Sequence, residues 1–315
     1  MLSFLVRRLA ILLATLLAAS AIVFVVLEIL PGDAALLILG TEARDDTLAA
    51  LRADLGLDRP ALARYLDWLA GMTTGRTGVS HTYAVPVATL IGERLTVTVP
   101  LAVAAFALST LLAVPLGMLA AVRRGRPGDY GVMAFSQLGM AVPNFWFAIL
   151  LILGLAVGLG WFPAAGFPGW AADPAGSLRA LVLPALSLAL PEAAILARVT
   201  RSAVLDALGA DYVRTARAKG LGERAILWHH VLRNALVPMT TILGLQFAFL
   251  LAGSIVVENV FALPGLGRLV YQAVTQRDIV VVRDIVLLLV AIVVLVNFLV
   301  DLAYAAIDPR PRAAP

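Results

Sequence analysis

The stretch DYVRTARAKGLGERAILWHHVLRNALVP, residues 211–238, is basic and polar, yet strongly apolar segments stand on both sides of it. Its neighbours read as membrane spans, and the stretch itself as a knob held outside the bilayer. Asp211 is placed to cap a short helix, YVRTARAK, which Gly220 ends. Gly222 and Glu223 then open a second helical run, RAILWHHVLRNAL, with Ile226, Leu227, Val231 and Ala235 as its apolar face. Spans on both sides tie down the base, so a force on the knob passes into both. From the residues alone two uses stay open. Arg214, Arg217, Lys219 and Arg224 suit an interfacial helix on anionic lipid. Asp206, Asp211 and Glu223, beside a modest apolar stripe, suit a protein-docking platform.

Composition agrees with a membrane chain. Of 315 residues, 61% are hydrophobic and 14% charged, and the mean hydropathy is +0.95. A soluble domain is about half apolar and a quarter charged. The excess here falls in blocks long enough to cross a bilayer. With no cysteine, disulfides, thiolate zinc sites and thiol nucleophiles are excluded. The three histidines (His81, His229, His230) are too few and scattered to predict a metal site. The net charge of +4 comes from basic residues grouped in loops, which predicts membrane orientation rather than nucleic-acid binding. Lys219 follows RTARA, not the GxxxxG of a phosphate loop, so no Walker-type ATP site is expected in this chain.

Six spans are predicted, making an all-α membrane protein. After Arg7 and Arg8, Ala19-Ser20-Ala21 has the look of a signal-peptide cleavage site, but the apolar run continues to Leu30, which favours a retained first span over roughly residues 9–30. Pro31-Gly32-Asp33 stops it. Two short amphipathic helices follow. The first carries Leu48, Leu51 and Leu55 and closes at Gly56. The second has Asp58 as N-cap, Pro60 near its first position, and Leu62, Tyr65, Leu66 and Leu69 on its apolar face. The Gly-rich GMTTGRTG then turns.

The second span is expected at about 95–122, bent or bounded by Pro100 and Pro115. The third is expected at about 132–158, after the basic loop RRGRPGD. An interfacial loop with Trp161, Phe162, Phe167 and Trp170 follows. The fourth, at about 180–200, is interrupted by Pro184, Pro191 and Glu192. The fifth is expected at about 234–257 and the sixth at about 284–307, with Asp301 near its end. The division is residues 1–94, a first span plus a helical loop, and residues 95–315, a five-helix core. With the termini inside, fourteen basic residues lie inside and ten outside. Six of the ten sit in the long first loop, which the positive-inside rule governs poorly. Both termini and the 211–238 stretch are therefore expected in the cytoplasm.

The stretch resembles the EAA-type coupling loop of ABC importer permeases, and DYVRTARAKGL in particular is similar to the dipeptide/oligopeptide and nickel group. The EAA triplet falls on Arg214-Thr215-Ala216 and its glycine on Gly220. GDAALLILG, PVATLIGERLTVTVPLAVAAF, MAVPNFWFAILLILGL, ENVFALPGLGRLVYQAVTQRD and VNFLVDLAYAAIDPR extend the resemblance, in order, over essentially the whole chain. One departure is GRTGVS, where the family usually reads GDLGxS.

The resemblance implies a type I importer permease with its coupling loop at about 201–235. Asp211, Tyr212, Arg214, Thr215, Ala216, Arg217, Lys219, Gly220 and Leu221 would meet an ATPase. The implied partners are a second, similar permease subunit, two cytoplasmic ATPases that hold the ATP and magnesium, and an extracytoplasmic substrate-binding protein. No cofactor is expected on this chain. Residues 258–267 would form an outer gate or docking surface, with Glu258 at the end of the fifth span and Pro264, Gly265 and Gly267 shaping a turn. Gln137, Pro143, Asn144, Gln246 and Asn297 are candidate pathway residues, and for any one of them packing is the favoured reading. Di- or oligopeptides are the expected cargo, with nickel or another small solute as the alternative within the family. An ion-coupled secondary transporter is disfavoured because Glu28, Glu192, Glu258 and Asp301 fall near span ends or in the irregular fourth span, and no inverted repeat is evident. A membrane enzyme is disfavoured because no histidine lies within a firm span.

Overall fold

The computed structural model describes residues 2–29, 44–54 and 56–307. The helices are α1 (Leu2–Ile29), α2 (Asp45–Asp54), α3 (Ala61–Thr74), α4 (Val87–Val122), α5 (Pro127–Ala141), α6 (Asn144–Leu151), α7 (Pro174–Leu208), α8 (Asp211–Ala218), the single turn α9 (Glu223–Ala225), α10 (Leu232–Val260), α11 (Leu266–Thr275) and α12 (Ile279–Ile307). Two π-helical segments, Ile152–Gly158 and Ile226–Val231, prolong α6 and join α9 to α10. Pro31-Gly32-Asp33, Leu55 and the tail carrying Arg310 and Arg312 lie outside the described residues.

Among the described residues, five helices are long and apolar enough to cross a membrane: α1, α4, α7, α10 and α12. The expected third span is not one helix. α5 and α6 meet at a bend of 105°. Pro143 has no N–H to continue the ladder, and it holds Val142 extended (φ −94°, ψ 119°). The bent pair together is long and apolar enough for one broken span. Its start is tied to Arg201 of α7 by Asp129, at 2.5 and 2.8 Å. Just past its end, the Trp161 carbonyl accepts from Arg179 of α7. Those arginines are about 33 Å apart along a helix rising 1.5 Å per residue, the thickness of a hydrocarbon core. The described residues thus hold five spanning helices, or six crossings with the bent pair as one broken span.

α7 is the central helix, and its most apolar stretch is 78% buried. Small residues allow close approach. A Cβ on Gly117 of α4 would collide with Thr200 and the Ala197 carbonyl of α7, and one on Gly139 of α5 with Ala194. Both α4 and α7 run longer than expected and pass straight through their prolines. In a bundle this crowded, neighbouring helices hold the axis where an isolated helix would break.

In α3 the buried face differs from the expectation. Leu62 and Leu66 are exposed, and Trp68 is buried. Asp58 does not cap this helix; the capping position is Pro60. Trp68 stacks on Phe24, donates its indole N–H to Asp284 at 2.7 Å, and lies under the Arg283 guanidinium at 4.7 Å. Tyr65 shares a hydrogen bond with Ser20. These polar ties select the 65/68/72 face over the leucines. They lash the first loop to α1 and α12. α1 and α12 also pair through Arg8 and Asp301 at 2.6 Å.

Candidate functional site

The knob is seated by two side chains. Val213 and Ala216 of α8 are buried against Met118, Ala121, Ala203, Val204, Ile226, Val231 and Ala235, so a single apolar cluster joins α4, α7, α8 and the start of α10. Burying a valine is worth about 1.5–3 kcal/mol. The other expected contact residues face outward: Asp211, Tyr212, Arg214, Thr215, Arg217, Lys219, Gly220 and Leu221 are all exposed. Ala216 is the exception, belonging to the seat rather than to the presented surface.

α8 ends in a complete Schellman closure. The Leu221 N–H donates to the Ala216 carbonyl at 3.3 Å and the Gly220 N–H to that of Arg217 at 2.9 Å. Gly220 sits at φ +80° with open space around it. The turn is then fastened from outside, where Arg217 makes a two-pronged pair with Glu223 at 2.8 and 3.1 Å. Arg217 holds the Glu223 carboxyl below its ordinary value. Partial burial pushes the Tyr212 phenol up, against a hydrogen bond from Asn234. Asp211 is the first helical residue, not the cap, which is Ala210 and makes no side-chain bond. At that position the carboxylate still faces the positive end of the helix dipole. The second run, expected as a separate helix, passes through the π segment directly into α10.

The end of the bundle opposite the knob holds a second constellation. Glu258 is fully buried. Its carboxylate accepts from the Thr98 hydroxyl at 2.7 Å and the Arg268 N–H at 3.0 Å, while Thr98 accepts from the Leu266 N–H at 2.8 Å. Glu258 and Thr98 together cap α11 from other helices. A Cβ on Gly265 would run into the Glu258 carboxylate, and one on Gly267 into the Ile255 backbone. Pro264, immediately before Gly265, is half-buried. This part of the expected gate is a latch whose carboxylate is consumed internally.

The pathway candidates do not converge. Gln137 and Asn297 are exposed on α5 and α12, Pro143 is exposed at the bend, and Asn144 is half-buried. Asn144 points at Gly253 of α10, and Asn297 packs over Gly244. Gln246 is buried and donates to the Glu192 carbonyl at 2.7 Å. The Asp129–Arg201 tie and Thr98 were not foreseen. No spacing rule links a loop aspartate to an arginine so far along the chain.

Comparison with known proteins decides the family. The family described as "Binding-protein-dependent transport system inner membrane component" matches residues 113–313, and its N-terminal companion matches residues 1–102. The chain belongs to this family. A putative peptide transport system permease protein of Brucella abortus is 42% identical over 312 residues, covering 99% of each chain. The glutathione transport system permease protein GsiC of Escherichia coli K12 is 39% identical over 312 residues, again covering 99% of both. Among solved structures, the inward-facing MetNI methionine ABC transporter aligns with TM-score 0.56 and 21% identity over 70% of this chain and 96% of its own. An amino acid ABC transporter aligns with TM-score 0.53 and 18% identity, over 69% and 94%. The family member is thus a multi-pass bacterial inner-membrane permease of the peptide-transport type, with the type I importer fold.

Proposed function

We propose that this permease carries di- or oligopeptides inward by ATP-driven alternating access, paired with a second permease subunit and with two ATPases docked on the knob side. The knob carries this reading. Its outward residues from Asp211 to Leu221 stand on a seat that belongs to three spanning helices at once, so a push on α8 reaches α4, α7 and α10 together. A lipid-bound helix would need an apolar face turned to the membrane, whereas α8 spends its apolar residues on the bundle. Knob and chain ends lie in the cytoplasm in this reading. α12 runs from the latch, where Ile285 packs near Leu266, toward the knob end, and α1 runs antiparallel beside it. ATP and magnesium sit on the ATPases, and a binding protein delivers cargo to the latch end. Gln137, Pro143 and Asn144, on the broken span, are the pathway residues this reading favours. The peptide class follows the name of the Brucella relative, and glutathione, itself a small peptide, follows GsiC.

The test is ATP hydrolysis and peptide uptake by the complex in proteoliposomes, wild type against Gly220→Trp. The bulky residue stands in open space, and the left-handed φ of +80° costs it about 1–2 kcal/mol within the exposed knob, so assembly should survive while binding-protein-stimulated hydrolysis and uptake fall together. Uptake that persists without any ATPase would sink the proposal and favour an ion-driven carrier.

A further inference from the structure

The geometry points to a socket under the 159–170 loop that receives an acidic segment of the extracytoplasmic binding protein, an inference that rests on the importer reading above. The cavity has a volume of about 650 Å³ and is lined chiefly by Phe162, Pro163, Ala165, Phe167, Gly176 and Arg179. It lies at the latch end, where three ties fix the loop in place. The Trp161 carbonyl accepts from Arg179, the Gly166 N–H donates to the Phe261 carbonyl at 2.9 Å, and the Trp170 indole donates to the Thr96 carbonyl at 2.8 Å. Gly160, Gly166 and Gly169, at φ +65°, +90° and +96°, make the turns these ties require.

The lining is apolar and aromatic with one charge. Both Arg179 donors that are engaged go to a neutral carbonyl, and no carboxylate pairs with the guanidinium among the described residues. The positive charge is therefore free for a carboxylate, and the remaining Nη donors can meet it. An arginine beside aromatic walls on a rigid, exposed loop is the composition of an interface anchor. Because the loop is ordered beforehand, docking loses little conformational freedom. The site is an open depression rather than an enclosed cavity, which suits a carboxylate side chain laid in it with an apolar neighbour. The socket is walled by the loop and by the first two turns of α7, at the end of that span, which assigns it to the docked protein and not to the cargo.

The experiment titrates the binding protein that stimulates the wild-type complex in proteoliposomes and reads the concentration giving half-maximal ATPase. Arg179→Glu and Ala165→Trp should each raise that concentration tenfold or more while the unstimulated rate and the rate at saturation hold. A charge reversal at the docking carboxylate of the binding protein should restore Arg179→Glu. Because Arg179 also braces Trp161, Ala165→Trp, which fills the socket and leaves the brace intact, is the deciding variant. Unchanged half-saturation in Ala165→Trp overturns the inference and leaves Arg179 a loop brace only. It is equally overturned if half-saturation holds while uptake of free-carboxylate peptides falls relative to amidated ones, since the socket would then serve cargo. A wild-type complex that no binding protein stimulates defeats the importer reading itself.

Discussion

Gly265→Ala should be far more damaging than its chemistry suggests. The backbone at Gly265 is extended (φ −104°, ψ −179°), a conformation any residue adopts, so no torsional strain enters. The damage comes from the methyl group, which would lie inside 3.0 Å of the Glu258 carboxyl carbon and of both its oxygens. The carboxylate cannot move aside cheaply, because it is fully buried and held at 2.7 Å by Thr98 and 3.0 Å by the Arg268 N–H. Hydrogen bonds to a charged group contribute about 1.5–3 kcal/mol each, so displacing it loses about 3–6 kcal/mol. Gly125→Ala is the control. Gly125 lies at φ +73° with nothing near its added Cβ, so the left-handed conformation alone costs about 1–2 kcal/mol. Equilibrium unfolding of both variants in mixed micelles can be followed by tryptophan fluorescence, with Trp170, bonded to Thr96, as a nearby reporter. If Gly265→Ala unfolds no more easily than Gly125→Ala, the latch is not holding α11 and the reasoning fails.

Other expectations follow from the same contacts. Trp68→Phe keeps the ring but removes the shorter of two contacts to the buried Asp284 Oδ1, 2.7 Å from the indole against 3.5 Å from Arg283, so stability should drop by about 1–3 kcal/mol in the same unfolding assay. Gly139→Leu places a side chain where Ala194 already stands; the bent span should detach from α7 and monodisperse protein should be lost in size-exclusion chromatography. The Glu223 carboxyl is held below its ordinary value by Arg217. Its share of knob stability should therefore be full above the usual carboxylate range, about pH 4.3, and vanish as pH falls through the lowered value. Amide exchange across residues 217–223 should show that acid-side loss in wild type, and Arg217→Gln should abolish the dependence.

The sequence made the apolar blocks legible because spans obey a length rule that needs no knowledge of neighbours. The knob was legible for a similar reason: Gly220 closes a helix through local bonds, and Leu227, Val231 and Ala235 repeat at helical spacing. Features that depend on a partner helix were not. Pro143 breaks its span sharply while Pro100, Pro115, Pro184 and Pro191 leave theirs continuous. Composition treats all five alike, and only packing against α7 and α10 separates them. Leu62 and Leu66 look more buried than Trp68 on any hydropathy scale, yet the indole has Asp284 to bond with and the leucines stay exposed among the described residues. Glu258 read as a surface gate from its place at a span end. Its burial follows from Thr98 and the α11 amides, brought to it from distant parts of the chain.

The uninterrupted passage from the knob into α10 has a mechanical corollary. From Glu223 to Val260 the chain contains no coil, only a helical turn, a π segment and a long helix. The 29 residues of α10 alone make a rod of roughly 43 Å. A rod has no slack, so a tilt of about 10° at one end sweeps the other by about 7.5 Å, given that length. Glu258 and its capped helix ride at that other end. A gearing of this kind needs no relay of side chains through the membrane: the stiffness of one backbone carries the displacement across.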